Sequence, residues 1–220
     1  MSGDADGEEK PSGLAWLPDS ADARLLAEVS SYSNDLTEAD DALQAALGAG
    51  EGSPLWIPLT GFAVVAYMRA FGHSNVRPPL RAASVVPDEF AALHEKLRVY
   101  RNTTVAHSQS ELVRPAPIAY LDEAGRIRRV GDAVISQHLP GQIARQFAGL
   151  IGLVQNTVEE WADDIRARLE ERYAEAEPHV IASWPTPVFE AQLARDFAAD
   201  SRRRPGSVFT HYLSVEPVEE

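Results

Sequence analysis

Residues 55–71 read LWIPLTGFAVVAYMRAF, a run that is nearly all apolar and is closed by Gly72. A helix that is apolar on all sides is normally buried, so we predict that this run forms the central helix of a bundle. The chain contains no uninterrupted apolar run of 18 residues. Its sequence therefore predicts no membrane-spanning segment and no membrane partner.

Apolar residues at spacings of three and four predict three further helices, over about residues 20–47, 87–100 and 140–176. A proline and two acidic residues begin the second of these, as the first turn of a helix favours. Between the last two helices, residues 117–131 combine two β-rich runs with a turn, which predicts a small β-hairpin insertion. The predicted fold class is therefore all-α, a bundle of four main helices with a hairpin.

Composition changes at both ends of the predicted bundle. Residues 1–18 are rich in acidic residues, glycine and serine, which predicts a disordered acidic tail. Residues 19–177 hold the helical pattern, and residues 178–220 contain five prolines. Because this last segment also carries large apolar side chains, we expect a C-terminal arm that packs on the bundle or on a neighbouring molecule.

The chain has 220 residues and no cysteine, which excludes a disulfide scaffold, a thiolate metal site and a cysteine nucleophile. Its six histidines are scattered without the spacing of metal ligands, so we expect no metal and no cofactor. The first residues are acidic where a secretory signal would be basic and then apolar. These features favour a cytoplasmic protein.

The net charge of −13 is distributed unevenly. Residues 1–51 carry 12 acidic and 2 basic side chains, residues 52–129 carry 6 and 10, and residues 130–220 carry 15 and 8. A protein this acidic cannot attract nucleic acid through its overall field. Any site for RNA would have to be a local one in the basic middle third, unless those basic residues only pair with the acidic helices.

One segment of that middle third carries possible chemistry. Residues 93–108 read LHEKLRVYRNTTVAHS, so a predicted helix ends in Arg101-Asn102 and His107 follows closely. Cleavage of RNA without a metal needs a base, an acid and fixed positive charge on the phosphate, which histidine and arginine can supply. Residues six apart on an α-helix differ by about 120°, so Arg101 and His107 meet only if the helix loosens or a second copy completes the site. The alternative is that these side chains merely finish the helix, with the arginine facing its negative end.

The pattern of Arg101, the polar Asn102 and the Ala106-His107 pair resembles the R-x(4–6)-H motif of the HEPN superfamily. Residues 66–71 (AYMRAF) are similar to the second helix of its AbiU2-like branch, and the resemblance covers roughly residues 20–175. It implies a HEPN-type bundle that forms a homodimer and cleaves RNA through 2′-OH attack, in a toxin–antitoxin or phage-defence setting with a possible cognate antitoxin. His107 would then be the general acid and base, Arg101 the phosphate clamp and Asn102 the orienting group.

Other basic residues of the middle third are candidates for a longer RNA contact: Arg69, Lys96, Arg98, Arg114, Arg126, Arg128 and Arg129. Two rival functions stay open at this point. One is a catalytically inactive HEPN module that binds a partner protein or nucleic acid, and the other is an antitoxin-like or scaffold role.

Overall fold

The computed structural model describes residues 13–75, 77–106 and 112–187. It is mostly helical with one two-stranded antiparallel sheet, which confirms the predicted helical fold with a hairpin. Most of the predicted acidic tail and most of the predicted C-terminal arm lie outside the described residues, and so does the candidate His107.

Six helices and two strands make up the described chain. They are α1 (Ala21–Ala49), α2 (Trp56–Phe71), α3 (Ala82–Val85), α4 (Ala91–Tyr100), β1 (Val113–Leu121), β2 (Ile127–Ser136), α5 (Gly141–Tyr173) and α6 (Pro178–Ile181). A 3-10 turn at Asp88–Phe90 leads into α4, and a π-helical turn at Arg101–Val105 continues it. The four long helices match the predicted ones closely, whereas α3 falls between two of them, where the sequence predicts no helix. None of the described helices combines the length and the apolar character that a membrane span requires.

The chain divides into two compact units, one formed by Glu28–Asp163 and the other by Met1–Ala27 with Asp164–Glu220. In the second unit Ala23 is buried, as are Ile165 and Leu169 of α5. There Arg168 bonds to Asp22 at 2.8 Å. Both boundaries between the units fall inside helices, which the sequence does not signal by any break in periodicity.

The core of the Glu28–Asp163 unit is built from α1, α2, α4 and α5. Its largest fully buried side chains include Trp56, Tyr67 and Phe147. Indole Nε1 of Trp56 donates to the carbonyl of Leu139 at 2.9 Å, which satisfies the polar atom of that ring. Helix α2 is buried along one side only, whereas its all-apolar sequence predicted burial on every side; 46% of Phe62 is exposed.

The hairpin is longer than the predicted residues 117–131. Its strands pair from Val113 opposite Ser136 to Leu121 opposite Ile127. At the turn Gly125 has φ +77, a conformation that glycine adopts without strain, and Asp122 accepts backbone hydrogen bonds from residues 124 and 126. The two prolines near the start of β1 make that part look like a loop in the sequence.

Candidate functional site

A cavity of about 650 Å³ lies in the Glu28–Asp163 unit, where the ends of α2 and α4 meet one side of α1. Four arginines are the most prominent feature of its lining: Arg69, Arg77, Arg98 and Arg101. Asn102 and His73 also line it. The cavity therefore gathers Arg69, Arg98, Arg101 and Asn102 from the sequence candidates. It adds Asp35, His73 and Arg77, which the sequence analysis does not single out.

Two of the arginines share one buried carboxylate. Asp35 on α1 is only 8% exposed, and its Oδ1 lies 3.1 Å from Nε of Arg69. Its other oxygen pairs with Arg77, which also bonds to Ser31 and is stacked 4.6 Å over the ring of Tyr32. These contacts tie the connection after α2 to α1, and they make Asp35 the central acceptor of the cavity wall.

Two acidic residues outside the cavity lining, Glu38 and Glu95, also pair with cavity arginines. Arg69 also pairs with the half-exposed Glu38, and this hydrogen bond lowers the pKa of the Glu38 carboxyl below its ordinary value. On α4, Arg98 donates to both oxygens of Glu95 at 2.8 and 2.6 Å. The hydrogen bond to Glu95 raises the pKa of the Arg98 guanidinium. Arg69 and Arg98 thus reach the cavity with their charges already matched.

Arg101 differs from the other three arginines. Within residues 13–75, 77–106 and 112–187 it makes no ion pair, and its guanidinium donates to Oδ1 of Asn102 at 3.1 Å. That hydrogen bond orients the guanidinium while leaving its charge uncompensated. Because arginine's planar fork fits two oxygens of a phosphate, this side chain has the chemistry to bind an anion in the cavity.

The backbone that carries Arg101 and Asn102 is a π-helical turn. The amide of Ala106 donates to the carbonyl of Arg101 at 2.9 Å, a bond across five residues in place of four. The hydroxyl of Thr103 bonds to the carbonyl of Val99 at 2.9 Å, the kind of side-chain bond that loosens a helix. The structure thus widens the helix over Arg101–Val105, whereas the candidate His107 lies outside the described residues. Single π-turns are frequently found at functional sites.

The histidine of α4 lies behind the cavity wall. The hydroxyl of Tyr67 is 3.0 Å from Nδ1 of His94, whose ring also meets Phe71 edge to face at 4.7 Å. Burial lowers the pKa of His94 and raises that of Tyr67. Desolvation thus favours the neutral form of both groups, and the pair belongs to the core.

The remaining sequence candidates among the described residues do not line this cavity. Lys96 is exposed on α4 and borders two smaller cavities of about 280 and 310 Å³. Four basic residues lie on the hairpin or its turn: Arg114, Arg126, Arg128 and Arg129. Arg126 is 3.1 Å from Asp122, and Arg129 covers the ring of Tyr120 at 4.4 Å. The predicted phosphate track is therefore split between the cavity and a separate hairpin.

Sequence reasoning missed Asp35, Arg77 and His73 as members of the site. One signal was present: a carboxylate three residues after Tyr32 falls on the apolar stripe of α1, where it needs a cationic partner. Its partner Arg77 is 42 residues away and could not be found from spacing. Among the described residues, no group of three or more histidine, aspartate or glutamate side chains could hold a metal ion.

Together, the fold and the cavity define a mostly helical protein with an arginine-lined site at a helix end. No protein-family model, curated protein or solved structure matches the chain.

Proposed function

We propose that this chain is a metal-independent endoribonuclease of HEPN type, acting in the cytoplasm as a homodimer in a toxin–antitoxin or phage-defence setting. The observation that supports it best is the state of Arg101. In the described chain it is the one cavity arginine without a carboxylate partner, and its guanidinium donates a hydrogen bond to Asn102. The reaction type, the dimer and the setting come from the resemblance to HEPN proteins.

The proposed reaction assigns one role to each group. A neutral imidazole takes the proton of the ribose 2′-OH, and the resulting oxygen attacks the adjacent phosphorus. The bond from phosphorus to the 5′-oxygen breaks, and an imidazolium donates a proton to that leaving oxygen. The products are a 2′,3′-cyclic phosphate and a 5′-OH. Arg101 stabilises the extra negative charge on the phosphorus oxygens, and His107 supplies the imidazole.

Two imidazoles serve this reaction best, and they have two possible sources. In a homodimer the second copy contributes its own His107 at a shared cleft. Within one chain, the exposed His73 lines the same cavity as Arg101. The variant His73→Ala separates these sources, because only the second predicts a loss of activity.

The primary test is RNA cleavage in the presence of EDTA. Wild-type protein should cut single-stranded RNA and leave a 2′,3′-cyclic phosphate. Arg101→Ala should lose about 10²–10³-fold in rate, the usual cost of removing one donor to a developing oxyanion. His107→Ala should lose about 10²–10⁴-fold as a lost acid and base.

Matched controls come from the other unit. Arg24→Ala removes an exposed arginine that pairs with Asp19, and His179→Ala removes an exposed histidine of α6. Both should cleave at the wild-type rate. If wild-type protein does not cleave RNA, or if the Arg101 and His107 variants match these controls, the nuclease proposal is wrong.

A second candidate function is a catalytically inactive module that binds a partner protein or nucleic acid. The pairing of Arg69, Arg77 and Arg98 with carboxylates favours it, because these three side chains then serve the architecture of the cavity. This function predicts no cleavage by any variant. It also predicts a stable complex, with an antitoxin or another partner, that is lost when residues 178–220 are removed.

A further inference from the structure

The β-hairpin offers one apolar face and one open edge that the described chain does not cover. None of the described residues of β1 and β2 is buried, and no third described strand joins them. The most exposed apolar side chains of the hairpin are Leu121, Ile127, Val130 and Val134, at 59–67%. An isolated two-stranded hairpin is marginally stable in water, so an extended hairpin with such a surface needs a further partner.

The register shows which edge is open. Pro115 and Pro117 lie opposite Val134 and Asp132. A proline has no N–H, so these two pairs are the ones that exchange no hydrogen bonds across the hairpin. The amide of Gln137 bonds to the carbonyl of residue 112 at 2.7 Å, which fits the same alternation.

This alternation gives the two outer edges opposite properties. The prolines remove successive donors from the outer edge of β1, a common protection of edge strands against pairing. On β2 the backbone groups of Val130, Asp132 and Val134 point outward, and no proline interrupts them. One edge of the hairpin is therefore blocked and the other is free to accept a strand.

We propose that the outer edge of β2 pairs antiparallel with β2 of a second copy of this chain. The strand order becomes β1-β2-β2-β1, and the proline edges close the sheet on both sides. A hairpin blocked on one edge can form a dimer in this way but cannot extend into a fibre. The four strands also meet the size at which a sheet becomes stable in water.

Charge selects the register of this pairing. Arg128 and Asp132 are both exposed, and neither makes an ion pair among the described residues. Centring the twofold axis on Val130 places Arg128 of each copy opposite Asp132 of the other, which is favourable for cross-strand pairs. Centring it on Asp132 would place two carboxylates opposite each other. Arg128 is also the extra residue at the irregularity of β2, without a partner on β1.

The chain lacks cysteine, so a single introduced cysteine reports directly on this register. In the proposed pairing the two Val130 residues form a hydrogen-bonded pair with Cα atoms about 5.5 Å apart, which a disulfide can span. Val130→Cys should therefore convert to a covalent dimer under mild oxidation. The matched control is Val134→Cys, which is 64% exposed against 67% for Val130. Its two copies would lie about 26 Å apart along the strands, at 3.3 Å per residue, and should stay uncrosslinked.

Two further measurements test the interface: the mass of the protein in solution, and the effect on the dimer of exchanging Arg128 and Asp132. Wild-type protein should sediment at twice the 24.0 kDa of one chain. Val130→Pro should be a folded monomer, because it removes a donor at the centre of the pairing. Arg128→Asp and Asp132→Arg should each weaken the dimer, and the double exchange should restore it.

Three results would each overturn the interface. They are a wild-type monomer, equal crosslinking of the two cysteine variants, and a dimer that survives Val130→Pro. A wild-type monomer would also count against the homodimer of the proposed function. The crosslinking and Val130→Pro results test this interface alone, and RNA cleavage tests the nuclease.

Discussion

Asp35→Asn removes the negative charge from the middle of the cavity wall while preserving the shape of the side chain. In the structure the side chain of Asp35 is 12% exposed and faces two guanidiniums, those of Arg69 and Arg77. The side chain of Arg77 is itself only 10% exposed. The substitution therefore leaves a nearly buried positive charge without its counter-ion.

The expected loss follows from that burial. Breaking a buried ion pair by removing one partner costs about 3–5 kcal/mol, because the remaining charge stays desolvated and uncompensated. Since asparagine keeps one acceptor oxygen, we expect the lower end, about 3 kcal/mol. For a chain of this length that loss lowers the midpoint of thermal unfolding by about 6–12 °C.

Glu38→Gln is the matched control. It also removes one carboxylate paired with Arg69, but the side chain of Glu38 is 40% exposed. Exposed ion pairs contribute about 0–1 kcal/mol, so this variant should unfold close to wild type.

Urea unfolding followed by circular dichroism measures both variants, with the dependence on urea checked for a constant slope. Equal losses in the two variants, or a loss below about 1 kcal/mol for Asp35→Asn, would refute the reasoning that burial makes this pair essential.

Three further measurements test other parts of the structure. Because burial lowers the pKa of His94, the unfolded chain takes up a proton more readily, so the free energy of unfolding should decline as pH falls below about 6.5; His94→Gln should flatten that decline. Gly61→Ala should stabilise the protein by about 0.5–1 kcal/mol, since a Cβ there would meet Val105 at an ordinary 3.7 Å and the helix gains from the substitution; destabilisation in urea would contradict this. If Arg101 alone grips phosphate in each copy, RNA affinity should fall with salt at a logarithmic slope of about −0.7 per copy, and a slope several times steeper would indicate a wider basic surface.

The sequence predicts the long helices because their apolar spacing reports which side is buried. The central helix was expected over residues 55–71 and is found at Trp56–Phe71. Residue spacing did not predict the first part of strand β1, because two prolines lie there. Pro115 and Pro117 look like strand breakers until their register shows that they face an outer edge, where no hydrogen bond is lost.

The candidate site likewise contains some residues that the sequence predicts and others that only the structure reveals. Arg101 and Asn102 are adjacent in the chain, and their short motif could be recognised without a structure. Asp35 and Arg77 meet across 42 residues, and only the packing of the connection after α2 on α1 brings them together. The sequence analysis predicts that Asn102 orients the histidine or donates to the phosphate; among the described side chains its Oδ1 accepts a hydrogen bond from Arg101.

The pairing of arginines with carboxylates in the cavity limits how so acidic a chain could act on RNA under the proposed function. Among the described residues, the positive charges of Arg69, Arg77 and Arg98 are matched one for one by Asp35, Glu38 and Glu95, whereas Arg101 pairs with no described carboxylate. A net charge of −13 repels a polyanion at long range, so one guanidinium cannot draw RNA in by its field. It can act only on a phosphate already placed within hydrogen-bond reach, which makes the orientation fixed by Asn102 more important than the amount of charge. Under the proposed function, affinity must then come from a second copy or a partner that presents the RNA, and Arg101 contributes to the rate.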